Sequence, residues 1–385
     1  MSQKIKKLAI IGASYLQLPL IKKAKILGYE THVFAWKTGA TGFDFIDKFY
    51  DIDIKNISKI LEILKQIHPC GICTIASDLA NITVNKLAKE LNLPCNSVEC
   101  TTNSTNKYLM RSCFSRHGIE CPKFEVVSNI QEVNISNFKF PLIVKPTDRS
   151  GSRAITKIFS TEELDTALEN AFEQSFEKKA IIEEFLEGDE FSAECISQNG
   201  KHTMLAVTKK FTTGAPNFIE TGHIEPSGFN KAELKIIEKS IYEALNALNI
   251  KQGCSHSEFK WDTASRTIKI IEIGSRMGGD FIGSDLVKYS TGHDFVKYCI
   301  DCAVGNPLNL QADFKPVYKN VGIKYIFNQT DLDIVKKIRK RNIIQMDLPE
   351  TINENEVVDS SSRLGYAIMH FDDRKKLLEV LNKWY

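Results

Sequence analysis

Two things are scarce in this chain of 385 residues: net charge and long apolar runs. Lys+Arg total 50 against Asp+Glu 48, so net charge gives no reason to expect a nucleic acid or an anionic membrane as partner. Basic residues do precede an apolar run in MSQKIKKLAIIGAS, but the run is short and stops at Gly12. It reads as neither a signal peptide nor a membrane span, and no later run is long enough to be one, so the expected setting is the cytoplasm. Familiar phosphate signatures are missing too. GASYLQ lacks the second and third glycines of a dinucleotide-binding turn, and no Gly-Lys-Ser/Thr triplet accompanies the Ser150-Gly151-Ser152 loop at P-loop spacing.

What is present suits two or three α/β modules around a cleft. The 10 cysteines fit a reducing compartment, because a chain of this size needs no disulfide staples. Cys70 with Cys73, and Cys299 with Cys302, have the spacing of zinc or redox half-sites. The first pair lies in the strand-like CGICTIA and the second on a helix after His293, where they read as small apolar residues. Over residues 1–100, LAIIGA, ETHVFAW, Lys48–Ile52 and GICTIA read as strands. LPLIKKAKILGY, ISKILEILKQI and Leu79–Leu91 read as the helices between them. Such alternation predicts a parallel sheet with helices on both faces. Asp78, between a strand and a helix, either faces a ligand or caps the helix.

From Thr101 the pattern changes. TNSTNKYLMRSCFSRHGIECP reads as a capped helix ending at Gly118, with Lys107 near its start; alone, Lys107 reads as a solvated helix lysine. FPLIVKPTDRSGSRAITKI reads as a strand ending at Lys145-Pro146, a loop of small residues, and a returning strand. A lysine beside such a loop suits phosphate, since loop N–H groups point outward and the ammonium adds charge. In AIIEEFLEGDEFSAECI an apolar strand delivers Glu183, Glu184, Phe185 and Leu186 to a turn, and Glu190 opens the next strand; an acidic hairpin is the plain reading. Last, GCSHSEFKWDTASRTIKIIEIGSRMGGDF carries Glu258 and Glu272 on two strand-like runs that a hairpin would join. Two converging carboxylates suit Mg²⁺, which takes one or two carboxylates together with phosphate oxygens. Arg276 and Gly278-Gly279 follow as a cationic, flexible turn where an anion could sit.

In order, these pieces resemble the ATP-grasp superfamily of carboxylate–amine ligases from about Met1 to Gly305, and the details lean toward L-amino-acid ligases. The resemblance implies a mixed α/β and α+β fold. Its parts would be an N-terminal parallel α/β domain at 1–100, an ATP-grasp domain at 101–305 with a lid near 120–190, and a small C-terminal α+β cap at 306–385. It implies ATP and Mg²⁺, with Mn²⁺ as an admissible substitute. Lys107 and Lys145 would contact the phosphates under the loop of Ser150, Gly151 and Ser152. Glu183, with backbone at Glu184 and Leu186, would form the adenine hinge, and Glu190 would hold the ribose. Glu258 and Glu272 would hold the metal, while Arg276, with Lys145, would serve the chemistry. His256, on the same strand face as Glu258, reads either as a substrate contact or as a packed strand histidine. His223 is expected in a loop over the cleft, and Gly278 and Gly279 near substrate.

Small carboxylates and amines are the implied partners, with a homodimer admitted. Carboxylase-type, carbamoyl-phosphate-type and non-catalytic ATP-binding proteins are the alternatives. Two positions depart from the family pattern. Gly274 stands where many relatives carry a metal-binding asparagine, and Ala154 where many carry a loop glycine.

Overall fold

The short apolar runs and 3.6-period segments at the start of the chain fold as their spacing predicts. The computed structural model describes residues 5–149, 151, 153–215, 218–310, 314–352 and 357–382. Strands β1 (Lys7–Ile11), β2 (Glu30–Ala35), β3 (Lys48–Asp51) and β4 (Gly71–Cys73) form a parallel sheet in the order β3-β2-β1-β4. Helices α1 (Leu18–Ile26), α2 (Ile57–Ile67) and α3 (Asp78–Glu90) connect or follow them. Asp78 is not the cap of α3. Ser77 holds the extended backbone of that position and its side chain accepts from the Ala80 N–H, leaving Asp78 in the first helical turn with its carboxylate free to point elsewhere.

Helices α4 (Val98–Asn103) and α5 (Lys107–Arg116) lead out of this unit, and Asn106 caps α5 by accepting from the Leu109 N–H. A second, antiparallel sheet follows in the order β5-β8-β6-β7, from β5 (Phe124–Val127), β6 (Leu142–Pro146), β7 (Thr156–Ile158) and β8 (Ala180–Glu184). Helix α6 (Leu164–Gln174) buries Leu164, Ala167, Leu168 and Ala171 against it.

The third sheet has 8 strands in the order β13-β12-β9-β10-β11-β14-β16-β15. Its strands are β9 (Glu190–Gln198), β10 (Lys201–Thr212), β11 (Glu220–Glu225), β12 (Gly253–Asp262), β13 (Thr267–Gly274), β14 (Val321–Ile326), β15 (Ile343–Asp347) and β16 (Gly365–His370). Helix α7 (Lys231–Ala247) opens with a capping box between Asn230 and Glu233 and packs its apolar stripe on the β12–β13 side of the sheet. After β13 come α8 (Val287–Thr291) and α9 (Phe295–Ala303); α10 (Gln329–Lys336) follows β14, and α11 (Arg374–Leu381) ends the described chain. Strands β14, β15 and β16 thus extend the large sheet beyond β11.

Helix α9 is buried along nearly its whole length, and its cluster joins the parallel sheet to the large one through Leu8, Ile10 and Val33 on one side and Ile196 and Cys254 on the other. Cys73, Cys299 and Cys302 belong to that cluster and carry no disulfide. Burial pushes the Cys302 thiol up to about 12, as suits a packed, un-ionised side chain. Among the described residues no helix is long and apolar enough to cross a membrane.

The separation of cap and partner at α3 has a measurable consequence. Ser77→Ala should cost about 1 kcal/mol in urea unfolding, because it removes the acceptor for the Ala80 N–H.

Candidate active site

Alternate residues of a strand share a face, and the register of the large sheet turns that rule into a site. Glu190, Ser192 and Glu194 share one face of β9; His256, Glu258 and Lys260 share one face of β12. Antiparallel pairing then aligns them in rows. Glu272, Glu258 and Ser192 lie side by side, as do His256 and Glu194. Lys260, Glu190, Lys210 and His223 form the neighbouring row. The hairpin read from sequence is therefore present, and its two glutamates are direct cross-strand partners. Lys107, Lys145, Gly151, Glu184, Leu186, Glu190, Glu258, Glu272 and Arg276 all line one cleft over this face. Ser150 and Ser152 lie outside the described residues.

Every carboxylate in the cleft floor is answered by a cation. Glu272 meets Lys107 Nζ at 3.1 Å, and that ammonium also donates to the Arg149 carbonyl at 2.7 Å. Glu258 is gripped by Lys210 and lies 3.2 Å from His256 Nε2. Burial works against ionising Glu258, but Lys210 and His256 hold its carboxyl well below the usual range. Lys210 also reaches Glu190 at 3.1 Å and Glu220 at 3.4 Å; burial opposes its charge, yet these three carboxylates hold it well above the ordinary lysine value. Arg276 forms a fork with Asp78, Nε to Oδ1 at 2.8 Å and Nη2 to Oδ2 at 2.9 Å. A Cβ on Gly274 would stand 3.2 Å from the Arg276 Cζ and 3.3 Å from Asp78 Oδ1. Gly274 thus lies tight against the fork.

Two carboxylates on adjacent strands, now neutralised by ammonium groups, offer oxygen donors to a divalent cation. Among the described residues no cluster of three or more His, Cys, Asp or Glu could hold a metal. Two carboxylates would be the protein's share of a Mg²⁺ site here, which fits an ion that keeps phosphate and water oxygens as its other ligands.

Glu183, Glu184 and Leu186, read from sequence as the adenine hinge, all line the cleft. The Glu183 carboxylate is turned inward and spent on Arg111 Nε at 2.6 Å and Lys145 Nζ at 2.5 Å. The N–H groups of Glu184 and Phe185 donate to the Lys123 and Pro141 carbonyls, each at 3.0 Å, and Leu186 follows them on the cleft wall. Burial lowers the Lys145 ammonium, with Glu183 opposing and Arg111 and Lys107 assisting. Ala154 has φ +50, a left-handed conformation costing an alanine about 1–2 kcal/mol that a glycine adopts freely.

His223 is not in a loop. It lies on β11, fully buried, 3.5 Å from Asp280 Oδ2 and edge-on to Tyr325; burial lowers its imidazole despite Asp280. It and Gly279 border a hollow that adjoins the main cleft through Arg276 and Glu258. His256 is held between Glu194 and Glu258, and against the effect of burial Glu194 and Glu258 raise it to about 9. Gly278 packs against His256 and Glu194.

Sequence reasoning passed over Arg111, Glu194, Lys210, Glu220, Asp280 and Arg363. Some carried signals. Arg111 lies four residues after Lys107, hence on the same helix face. In Lys209-Lys210 on a strand one side chain must point inward; Lys209 pairs with exposed Asp189 and Lys210 takes the cleft. Arg363, in the segment before β16, joins Asp280 at 2.8 Å and Glu220 at 3.2 Å, a long-range pairing that no local pattern announces.

Comparison with known proteins agrees with this architecture. A family profile for the ATP-grasp domain matches residues 138–285. The crystal structure of an L-amino acid ligase from Bacillus licheniformis superposes with a TM-score of 0.83 at 22% identity, covering 99% of this chain and 97% of that one. A phosphoribosylglycinamide synthetase from Anaerococcus prevotii does so with a TM-score of 0.75 at 21% identity, covering 98% and 97%. In sequence, the carbamoyl phosphate synthase large chain of Thermotoga petrophila is 22% identical over 341 residues, 86% of this chain. The chain spans only 29% of that protein, and 49% of an uncharacterised Sinorhizobium fredii protein to which it is also 22% identical.

The buried Arg111–Glu183–Lys145 group makes a pH prediction. Burial would raise the Glu183 carboxyl, but the two cations win and hold it at about 2, below the ordinary 4.5. A depressed carboxyl contributes stability that is complete above its unfolded value and is lost as pH falls through its folded value. Urea unfolding should therefore show stability declining from about pH 4.5 to about pH 2. Glu183→Gln should cost about 3–5 kcal/mol near neutrality and flatten that part of the acid slope.

Proposed function

We propose that this chain, which carries an ATP-grasp domain, is a ligase that uses ATP to activate a small carboxylate as an acyl phosphate and joins it to an amine, releasing ADP and phosphate. An amino acid is the proposed carboxylate. The observation that carries the reading is the cross-strand pair Glu258 and Glu272 in one cleft with Lys107 and Lys145. Two acids for a hard cation and two ammonium groups for phosphates are the charges that phosphoryl transfer needs. The adjoining hollow supports a dipolar substrate, since Asp280 and Glu220 border it together with Arg153 and Arg276.

Carboxylate oxygen is a poor leaving group and phosphate a good one, so activation precedes attack by the amine. Lys107 and Lys145, with their ammonium groups at the cleft wall, would hold phosphate oxygens in line. Glu258 and Glu272 would hold Mg²⁺, which supplies charge neutralisation for the phosphates when bound. Arg276 is pre-set by Asp78 and would steady the negative charge of the acyl phosphate, at little reorganisation cost. Glu190 would accept the ribose hydroxyls, and Leu186 would border the adenine. The loop around Gly151 would close the cleft against water, which otherwise hydrolyses an acyl phosphate.

Phosphate release should depend on adding both ATP and an amino acid, with mass spectrometry of a panel revealing a product joined by an amide bond. Release indifferent to every carboxylate and amine pair would contradict the ligase reading. Glu272→Gln should abolish ADP formation while the unfolding curve stays within about 1 kcal/mol of wild type. Retention of most turnover would remove Glu272 from the metal site. Lys145→Ala should chiefly raise the ATP concentration needed for half-maximal rate.

A further inference from the structure

Glu194 lies mid-strand in β9 with no solvent exposure, where a carboxylate is costly unless it is held. Three groups hold it. His256 Nδ1 bonds to its Oε1, the Ser192 hydroxyl donates to the same oxygen at 3.3 Å, and the Gly278 N–H donates to Oε2 at 3.3 Å. The other imidazole nitrogen, Nε2, lies 3.2 Å from Glu258 Oε1. One buried carboxylate therefore touches both the strand that carries Glu258 and the turn that carries Arg276. Glycine is required for that approach: a Cβ at 278 would stand 2.7 Å from His256 Nδ1 and 3.0 Å from Glu194 Oε2.

We infer that Glu194 is a positioning residue for the metal carboxylate. Through His256 it fixes the orientation of Glu258, and through the Gly278 N–H it ties the Arg276 turn to the same point. The inference rests on the nucleotide and Mg²⁺ reading of the cleft. Lys210 holds Glu258 as well, but it is shared with Glu190 and Glu220, whereas the ring of His256 is clamped between two carboxylates. A glutamate that bridges two strands through a clamped ring loses the freedom to swing away from a cation. Partners of this kind behind a metal ligand are typically worth about 10–100-fold in metal affinity.

The test is calorimetric titration of Mn²⁺ into the full chain with saturating ADP, for wild type and Glu194→Gln, alongside melting temperatures without ligand. The glutamine keeps the volume and removes the charge that holds the imidazole. Mn²⁺ affinity should fall about 10–100-fold, with ADP affinity in the absence of metal unchanged. A role confined to packing would lower the melting temperature and leave Mn²⁺ affinity alone. Should Glu194→Gln fail to fold, His256→Asn serves instead: its amide keeps the bond toward Glu194, releases Glu258, and should give the same loss. Wild-type Mn²⁺ affinity in either folded variant overturns the inference. Wild-type protein that binds no Mn²⁺ with ADP overturns the reading of the cleft itself, and the inference with it.

Discussion

A charge removed from water must be compensated where it stands, and the architecture of the cleft follows from that constraint. The floor of the large sheet brings Glu190, Glu194, Glu258 and Glu272 onto one face, an arrangement that would repel itself if left bare. Lys107 answers Glu272, Lys210 answers Glu190 and Glu258, and His256 answers Glu194 and Glu258, while Arg276 is answered by Asp78 from the parallel-sheet unit. The walls obey the same rule, with Glu183 set between Arg111 and Lys145. A cleft balanced in this way can exchange partners at little cost. A divalent cation arriving with phosphates would take the carboxylates and release the ammonium groups to the phosphate oxygens.

The balance depends on parts that are far apart in sequence. Arg276 follows β13, and Asp78 opens α3 almost two hundred residues earlier in the chain. Arg363, near the end, is drawn to Asp280 and Glu220, and its guanidinium stacks 3.8 Å from the Tyr325 ring. Opposing burial, Asp280 holds Arg363 above its ordinary value, while Arg363 in turn holds Asp280 below. Asp280 and Glu220, which border the hollow beside the cleft, are thus both compensated by Arg363. Arg153, in the segment before β7, and Asp359, in the segment before β16, approach to 3.6 Å, and Arg153 and Ser360 both border the hollow.

Local periodicity made the parallel unit legible almost residue by residue, and α2 occupies the predicted ISKILEILKQI. The carboxylate hairpin was equally legible, because a period of two with intervening turn residues leaves little choice of register. What escaped was whatever depends on partners from distant segments. Asp78 was ambiguous in sequence since cap and ligand positions adjoin at a helix start; Ser77 took the cap. His223, expected in a loop, lies on β11, which runs to Glu225. Strand β15, IIQMD, lacks a buried alternating face and announced nothing. Nothing in sequence sets Glu194 apart, since its partner His256 lies across the sheet on β12.

The central claim is that Glu258 and Glu272 are the protein's ligands for a divalent cation carried in with a nucleotide. Crystals grown with Mn²⁺ and a non-hydrolysable ATP analogue test it most directly, through anomalous scattering. The account predicts an anomalous peak between the two carboxylates, with Lys107 turned from Glu272 to a phosphate oxygen. A bound nucleotide with its metal peak away from both glutamates, and Lys107 still on Glu272, would contradict it.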